Sequence, residues 1–213
     1  MIKILVVDDQ TLMRDGLKTI LDLEEDLEVI GTACNGKEAY SLVKQVKPDV
    51  ILMDIRMPIL NGVEATKLIK EEFKDISIII LTTFDTDDLI IEALACGADG
   101  YILKDIDGDR LIQAIKDCFN GDMILPAKVA AKLVTRVLNN QRDIPEDIMD
   151  LNSFQITERE KEICELLCAG YSNKQIGNKL FLTIGTVKNY VTSIYNKLGV
   201  SNRISAILFL KKM

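Results

Sequence analysis

The chain has 213 residues, 48% of them hydrophobic and 28% charged, which is enough to build packed cores in one large or two ordinary domains. It contains no histidine, and this excludes histidine-dependent catalytic triads, histidine metal sites and a role as phosphohistidine donor. Five cysteines without a CxxC pair argue against a disulfide framework, and no apolar run approaches the roughly 20 residues of a membrane span. No basic region precedes the first apolar run, so we expect no signal peptide, no membrane partner and a cytoplasmic location.

Charge is distributed unevenly along the chain. Residues 1–150 carry 17 Lys and Arg against 29 Asp and Glu, whereas residues 151–213 carry nine against four. A change of sign on this scale predicts two domains with different partners. The alternative is an ordinary solvated basic face on the smaller domain.

In chain order, five short apolar runs alternate with segments of helical spacing. The predicted helices span residues 11–23, 36–46, 62–73, 86–96 and 107–120. The second predicted strand is the segment LEVIGTA, and the alternation gives five βα units. This pattern predicts an α/β fold with a five-stranded parallel sheet, covered by helices on both faces and connected by right-handed crossovers.

Four of the apolar runs end in polar residues. Asp8 and Asp9 follow the first run, and the other three end in Asp54, Thr82 and Lys104. Because the carboxyl ends of parallel strands meet at one edge of a sheet, we expect these side chains to share one cavity. Each acid alone is commonly the N-cap of the next helix, but complementary groups at four strand ends favour a site.

The predicted cavity has a definite chemistry. Three carboxylates repel one another unless a divalent cation or the lysine offsets them, and oxygen ligands of this kind suit Mg²⁺. A carboxylate held beside a lysine and a threonine is equipped to attack a phosphoryl group and to form an acyl phosphate.

Over about residues 1–121, the chain resembles the receiver domain of two-component response regulators, with MDIRMPILNG around the central acid and GADGYILKD around the lysine. The resemblance implies a flavodoxin-like, doubly wound sheet with strand order 2-1-3-4-5. It implies that Asp54 is the phosphoacceptor. Mg²⁺ would be held by Asp9, Asp54 and the backbone carbonyl of Arg56, with assistance from Asp8.

The same resemblance implies roles for three more residues. Thr82 would be the switch hydroxyl, Lys104 the counter-charge of the phosphoryl group, and Tyr101 the aromatic residue whose rotamer follows the threonine. Asp105 stands where many receivers have proline. This departure leaves open whether the peptide bond between Lys104 and Asp105 is cis.

Two segments follow the receiver-like region. Residues 126–138 start with proline and repeat apolar residues at helical spacing, which predicts a linker helix, and the polar, acidic residues 139–154 predict a flexible tether. The expected domains are a receiver at 1–121, a linker and tether at 122–152, and a helical domain at 153–213.

The C-terminal segment predicts four helices that include a helix-turn-helix. The expected helices start at a capping box (Thr157 to Glu160), at Ser172, at Thr183 and at Ser201, and the turn between the second and third is residues 181–183. Val187, Val191 and Ile194 are expected to face the core, whereas Tyr195 fits either side.

The segment from ITEREK to RISAI resembles the DNA-binding domain of the LuxR/NarL family over some 50 residues. The resemblance implies recognition-helix contacts from Thr186, Lys188, Asn189 and Thr192, with Asn173 and Lys174 toward the DNA backbone. Lysine neutralises phosphates, whereas asparagine and lysine read base edges. Tyr190 and Thr192 stand where the family often has histidine and a basic residue, so base preference cannot be copied from relatives.

These observations predict a two-component response regulator, a transcription factor that a sensor histidine kinase phosphorylates on Asp54. Phosphorylation is expected to promote a homodimer and sequence-specific binding of double-stranded DNA. We do not class the protein as an enzyme, because its chemistry is limited to self-phosphorylation and autodephosphorylation. Three alternatives are an aspartyl-phosphate hydrolase or phosphotransferase with a substrate cap, a receiver used only for dimerisation, and an autoinducer-binding regulator. The kinase, the operator and the direction of regulation stay open.

Overall fold

The computed structural model describes residues 1–83, 87–125, 154–200 and 202–211. The chain divides into a first unit that ends at Leu125 and a second that begins at Pro126. The predicted linker helix at 126–138 and all of the predicted tether except Phe154 lie outside the described residues.

The first unit is a five-stranded parallel sheet with helices between the strands. The strands are β1 (Ile2–Val7), β2 (Leu27–Ala33), β3 (Val50–Asp54), β4 (Ser77–Thr82) and β5 (Gly100–Leu103). The helices are α1 (Thr11–Leu21), α2 (Gly36–Val46), α3 (Gly62–Glu72), α4 (Asp87–Ala95) and α5 (Gly108–Phe119). The strand order is β2-β1-β3-β4-β5. The predicted doubly wound parallel sheet and its strand order are confirmed.

The central strands are buried along their whole length. Every residue of β3 and β4 is buried, as expected for strands that read as continuous apolar runs and are covered on both faces. Leu21 of α1 and Ile115 of α5 share one core cluster with Ile4, Leu52 and other residues of the sheet. Burial of these runs fixes the strands, and the strand ends thereby reach one edge of the sheet.

Local capping chemistry sets where several helices begin. The side chains of Asn35, Asn61 and Asp107 accept hydrogen bonds from backbone N–H groups in the first turns of α2, α3 and α5. Among the described residues no peptide bond is cis, so the bond between Lys104 and Asp105 is trans.

The described part of the second unit is helical. Its helices are α6 (Glu158–Cys168), α7 (Asn173–Leu180), α8 (Ile184–Leu198) and α9 (Arg203–Leu210). Thr157 and Ser172 form capping boxes at α6 and α7, as the sequence predicts for the first of them. The predicted start of the last helix at Ser201 was early, because the N-cap is Asn202, whose side chain accepts from the backbone N–H of Ser205. None of the described helices is long and apolar enough to cross a membrane.

Candidate functional site

Strand register brings the predicted pocket residues to one edge of the sheet. Asp8 directly follows β1, whose last residue pairs with the residue before Asp54. Thr82 stands one position past the partner of Asp54, and Lys104 stands one position past the partner of Thr82. The four strand ends therefore meet as the sequence predicts.

Three carboxylates and one ammonium group form the centre of this edge. Lys104 Nζ lies 2.6 Å from Asp8 Oδ2 and 3.0 Å from Asp54 Oδ2. Asp8 and Asp54 are buried, whereas Asp9 is exposed, and ligand oxygens of all three lie within 4.8 Å of one another. We name these three residues together with Lys104 the acid cluster.

The environment shifts two pKa values in this cluster. Burial raises the pKa of Asp54 above its usual range, and the negative charge of Asp8 adds to the rise, although the hydrogen bond from Lys104 opposes it. Burial works to lower the pKa of Lys104, but the hydrogen bonds and charges of Asp8 and Asp54 outweigh burial and raise it. Lys104 therefore stays charged, and Asp54 is a carboxylate whose ionised form is costly.

The donor set fits a hard divalent cation. Asp8, Asp9 and Asp54 offer carboxylate oxygens only, which are the ligands that Mg²⁺ prefers, and a dication would relieve the repulsion among them. Arg56 lies two residues past Asp54 and has an exposed side chain. The metal-binding part assigned to its backbone carbonyl stays a prediction.

Thr82 and Tyr101 are both buried close to this edge. Thr82 is the last residue of β4, and its carbonyl accepts the backbone N–H of Lys104 at 2.8 Å. Tyr101 lies in β5 with its side chain almost fully enclosed. Their switch roles stay predictions.

The sequence analysis missed the groups that hold Asp8. The backbone N–H of Gln10 donates to Asp8 Oδ1 at 3.0 Å, and Arg14 Nη1 donates to the Asp8 carbonyl at 2.6 Å. Arg14 lies one helical turn past Gln10, and a basic residue in the first turns of a helix is too common a signal to identify such a contact.

Gly62 lets α3 begin against the phosphoacceptor strand. A Cβ atom at Gly62 would lie 2.0 Å from the carbonyl oxygen of Asp54, and the Gly62 N–H donates to the carbonyl of Ile55 at 2.9 Å. Any larger residue would push the turn after Asp54 out of place. The NG pair in the receiver-like motif thus has a steric reason.

The second unit carries the other predicted site on α8. Its buried face is formed by five residues, which include the three predicted core residues: Val187, Val191, Ile194, Tyr195 and Leu198. The predicted recognition residues lie outside that set. Asn189 is exposed, and Thr186, Lys188 and Thr192 are half-buried. Lys174 on α7 is exposed as well.

Asn173 requires a correction. Its side chain is only 7% exposed, because it lies in the buried first turn of α7 between Ser172 and Ile176. This side chain is therefore not available to the DNA backbone.

A buried glutamate joins α6 to α8. Glu160 is 3% exposed and accepts hydrogen bonds from Ser193 Oγ at 2.8 Å and from Lys197 Nζ at 2.6 Å. It also accepts from the N–H and the hydroxyl of Thr157. Burial alone would raise the pKa of Glu160, but these donors, led by Lys197, lower it to about 2. The capping box signalled the Thr157 contact, whereas the contacts to α8 had no local signal.

Comparison with known proteins identifies the two units. Residues 4–116 match the family model of the response regulator receiver domain, and residues 155–210 match that of bacterial regulatory proteins of the luxR family. The chain belongs to the LuxR/NarL family of response regulators. It is a two-component response regulator with a receiver domain and a LuxR-type DNA-binding domain, and this family consists of transcription regulators rather than classical enzymes.

Full-length relatives agree with this assignment. The chain is 43% identical over 216 residues to the transcriptional regulatory protein LnrK of Bacillus subtilis (strain 168), with 98% of this chain and 96% of LnrK covered. It is 39% identical over 210 residues to LiaR of the same strain, again covering 98% and 96%. It is 38% identical to the oxygen regulatory protein NreC of Staphylococcus carnosus (strain TM300), over 94% of this chain and 93% of NreC.

Solved structures of other response regulators are similar as well. ChrA, the response regulator of a heme-sensing two-component system, is 34% identical with a TM-score of 0.53, covering 99% of this chain and 96% of ChrA. The receiver domain of the putative response regulator NarL from Mycobacterium tuberculosis is 31% identical with a TM-score of 0.55, covering 56% of this chain and 97% of that domain.

Proposed function

We propose that this response regulator is phosphorylated on Asp54 by a partner sensor histidine kinase, and that phosphorylation promotes a homodimer that binds specific double-stranded DNA. The observation that carries the proposal is the acid cluster, in which one ammonium group contacts two buried carboxylates at 2.6 and 3.0 Å. Because the chain has no histidine, the phosphohistidine must come from another protein.

The transfer step follows from the chemistry of the cluster. An Oδ atom of ionised Asp54 attacks phosphorus, the bond from phosphorus to the donor imidazole breaks, and the imidazole leaves with that electron pair and takes up a proton. Lys104 offsets the charge of the new acyl phosphate. When bound by Asp8, Asp9, Asp54 and the backbone carbonyl of Arg56, Mg²⁺ supplies further charge stabilisation.

The switch role belongs to Thr82 and Tyr101 in this proposal. The Thr82 hydroxyl donates to a phosphoryl oxygen on Asp54, and Tyr101 follows it inward, which biases the receiver toward its dimerising state. Water later hydrolyses the acyl phosphate and restores Asp54. The chemistry is thus limited to self-phosphorylation and autodephosphorylation of the protein's own aspartate.

The DNA contacts divide by chemistry. Lys174 and Lys188 neutralise phosphates, and Asn189, Thr186 and Thr192 are placed to read base edges from α8. Their support is that all five side chains lie at least partly at the surface of the helical unit. Two such units on paired half-sites add their binding energies, which explains why dimerisation matters.

We also propose the domain limits and the place of action. The receiver occupies residues 1–121, the linker and tether 122–152, and the DNA-binding domain 153–213. Action on DNA supports a cytoplasmic location.

The experiment that tests the proposal is DNA binding by the full chain with and without beryllofluoride plus Mg²⁺, a mimic of the phosphoryl group. The duplex is selected from a random pool by the wild-type protein. We expect the mimic to tighten binding and to promote dimers, and Asp54→Ala to abolish both gains. Equal binding by both proteins, with or without the mimic, would instead identify the receiver as a constitutive dimerisation domain.

A further inference from the structure

Phe181 is exposed to an extent that the fold of its own unit does not explain. Its side chain is 96% exposed, and its φ of 57° lies in the left-handed region that side chains other than glycine rarely adopt. Both properties cost free energy in the isolated protein, and glycine at this position would avoid both. This combination points to a contact outside the protein.

The turn that carries Phe181 is held firmly. The backbone N–H groups of Phe181 and Leu182 both donate to the carbonyl of Gly177, and Arg159 Nη2 donates to the Leu180 carbonyl at 2.7 Å. A Cβ atom at Gly177 would lie 2.7 Å from the Leu182 carbonyl oxygen, so the turn packs directly on α7. Neighbouring contacts therefore fix the left-handed conformation and present the ring outward on a rigid support.

The charge around this turn selects the class of partner. From residue 166 to residue 213 the chain has seven Lys and Arg and no Asp or Glu. Phe181 stands two residues before Thr183, the N-cap of α8, and Lys174 and Lys179 on the preceding helix are exposed. A surface built only from cations and neutral groups fits a polyanion, and the polyanion that this domain binds is DNA.

We propose that Phe181 is a DNA-contacting residue whose ring packs against the sugar face of the DNA backbone beside the recognition helix. The ring provides apolar area that is indifferent to base sequence, while Lys188 and Asn189 provide charge and base reading. The contact fixes how the helix-turn-helix is seated on the duplex. This inference rests on the proposed DNA contacts of α8, and its test separates the two.

The test compares variants of the full chain, all with beryllofluoride and Mg²⁺ present, on a duplex selected from a random pool by the wild-type protein. We expect Phe181→Gly to weaken binding about five- to tenfold at every salt concentration, the effect of losing roughly 50 Å² of buried apolar surface. The slope of log affinity against log salt stays as in wild type, because no phosphate contact is lost. The melting temperature does not fall, because glycine relieves the left-handed conformation.

Two further variants serve as controls. Gln155→Gly also replaces an exposed residue with positive φ in the same unit, and it should leave affinity unchanged. Lys188→Ala should weaken binding and reduce the salt slope by about one, which checks the DNA contacts independently.

Three results would overturn the proposal for Phe181. The first is wild-type affinity of Phe181→Gly while Lys188→Ala is weakened, which would leave the DNA-binding role of α8 intact. The second is a fall in melting temperature that parallels the fall in affinity, which would make the ring a support of the fold. The third is unchanged DNA affinity with lost transcription in a reconstituted assay, which would assign the ring to a protein partner.

Discussion

Each unit of this response regulator buries a carboxylate, and the two carboxylates are treated in opposite ways. In the receiver, Asp54 shares a single lysine with Asp8, and burial raises its pKa. In the helical unit, Glu160 accepts hydrogen bonds from two residues of α8 and from Thr157, and its pKa falls to about 2. Burial is similar at the two sites, so the supply of donors makes the difference.

This contrast separates a reactive acid from a structural one. A carboxylate short of donors is a candidate nucleophile and ligand, because a phosphoryl group or a cation improves its environment. A carboxylate with all its donors supplied has nothing to gain from a ligand. The four predictions below test whether the supply of donors, rather than burial, determines which acid reacts.

The largest effect is expected for Asp54→Asn. The amide cannot form an acyl phosphate, so incorporation of phosphate from acetyl phosphate should fall to background in intact-mass measurements. The receiver should unfold at the same or a higher temperature, by an amount equivalent to about 1 kcal/mol, because the repulsion with Asp8 is removed. Asp15→Asn, a change on the exposed face of α1, is the control. Persistent labelling of Asp54→Asn would show that another acid is the phosphoacceptor.

The receiver site was predictable because its signals are local. Each pocket residue ends an apolar run, and the parallel arrangement of such runs brings their ends together, so Asp8, Asp54, Thr82 and Lys104 could be grouped without coordinates. By contrast, the donation from Arg14 to a backbone carbonyl depends on the angle at which α1 leaves the sheet. Sequence spacing does not encode that angle.

The helical unit was predictable in outline and less so in its contacts. Capping residues and αL positions marked α6, α7 and α8, but Ser201 and Asn202 are both capable caps and the sequence does not choose between them. Glu160 meets Ser193 and Lys197, which lie more than 30 residues away, and this contact exists only once the helices pack. The burial of Asn173 likewise follows from packing.

Glu160→Gln should destabilise the helical unit by about 2 to 3 kcal/mol, the second largest effect. The substitution leaves the Lys197 ammonium without its carboxylate at a buried site, which is a costly loss. Differential scanning calorimetry of the full chain measures it. Glu158→Gln is the matched control, since that side chain is exposed and its ion pair with Lys161 should contribute under about 1 kcal/mol. Similar losses in the two variants would mean that the donors around Glu160 add nothing to stability.

The pH dependence of the two units should have opposite signs at these two acids. A lowered folded-state pKa means that Glu160 stabilises the folded unit above its ordinary value of 4.5, and this contribution, at most roughly 3 kcal/mol, is lost as the pH falls toward 2. Asp54 has a raised pKa, so its ionisation opposes folding at higher pH, and the penalty fades as the pH falls through its folded-state pKa toward 3.8.

Acid titration of unfolding with three proteins isolates these contributions. Glu160→Gln should flatten the acid-side loss of stability of the helical unit, and Asp54→Asn should remove the gain that Asp54 contributes to the receiver. Equal pH profiles for wild type and Glu160→Gln would show that the low pKa of Glu160 is not coupled to folding.

The smallest effect is expected at a third buried ion pair, which lies in the receiver but away from the acid cluster. Lys70 on α3 is buried and contacts Asp99 at 2.7 Å, and Asp99 also accepts the backbone N–H of Ile78. Gly97, with a φ of 114°, packs on the Lys70 side chain, where a Cβ atom would lie 2.9 Å from Lys70 Cγ. Here one cation meets one acid, so the pair should behave like Glu160 and not like Asp54.

Lys70→Met keeps the apolar stem and removes only the ammonium group. We expect a loss of about 1 to 2 kcal/mol in unfolding free energy, because Asp99 keeps the Ile78 N–H and is partly open to water. The rate of phosphorylation by acetyl phosphate should equal that of wild type and of Lys67→Met, a change of an exposed lysine on the same helix. A slower or faster rate in Lys70→Met alone would mean that a fully paired acid also governs the chemistry, and the supply of donors would then no longer separate reactive from structural carboxylates in this protein.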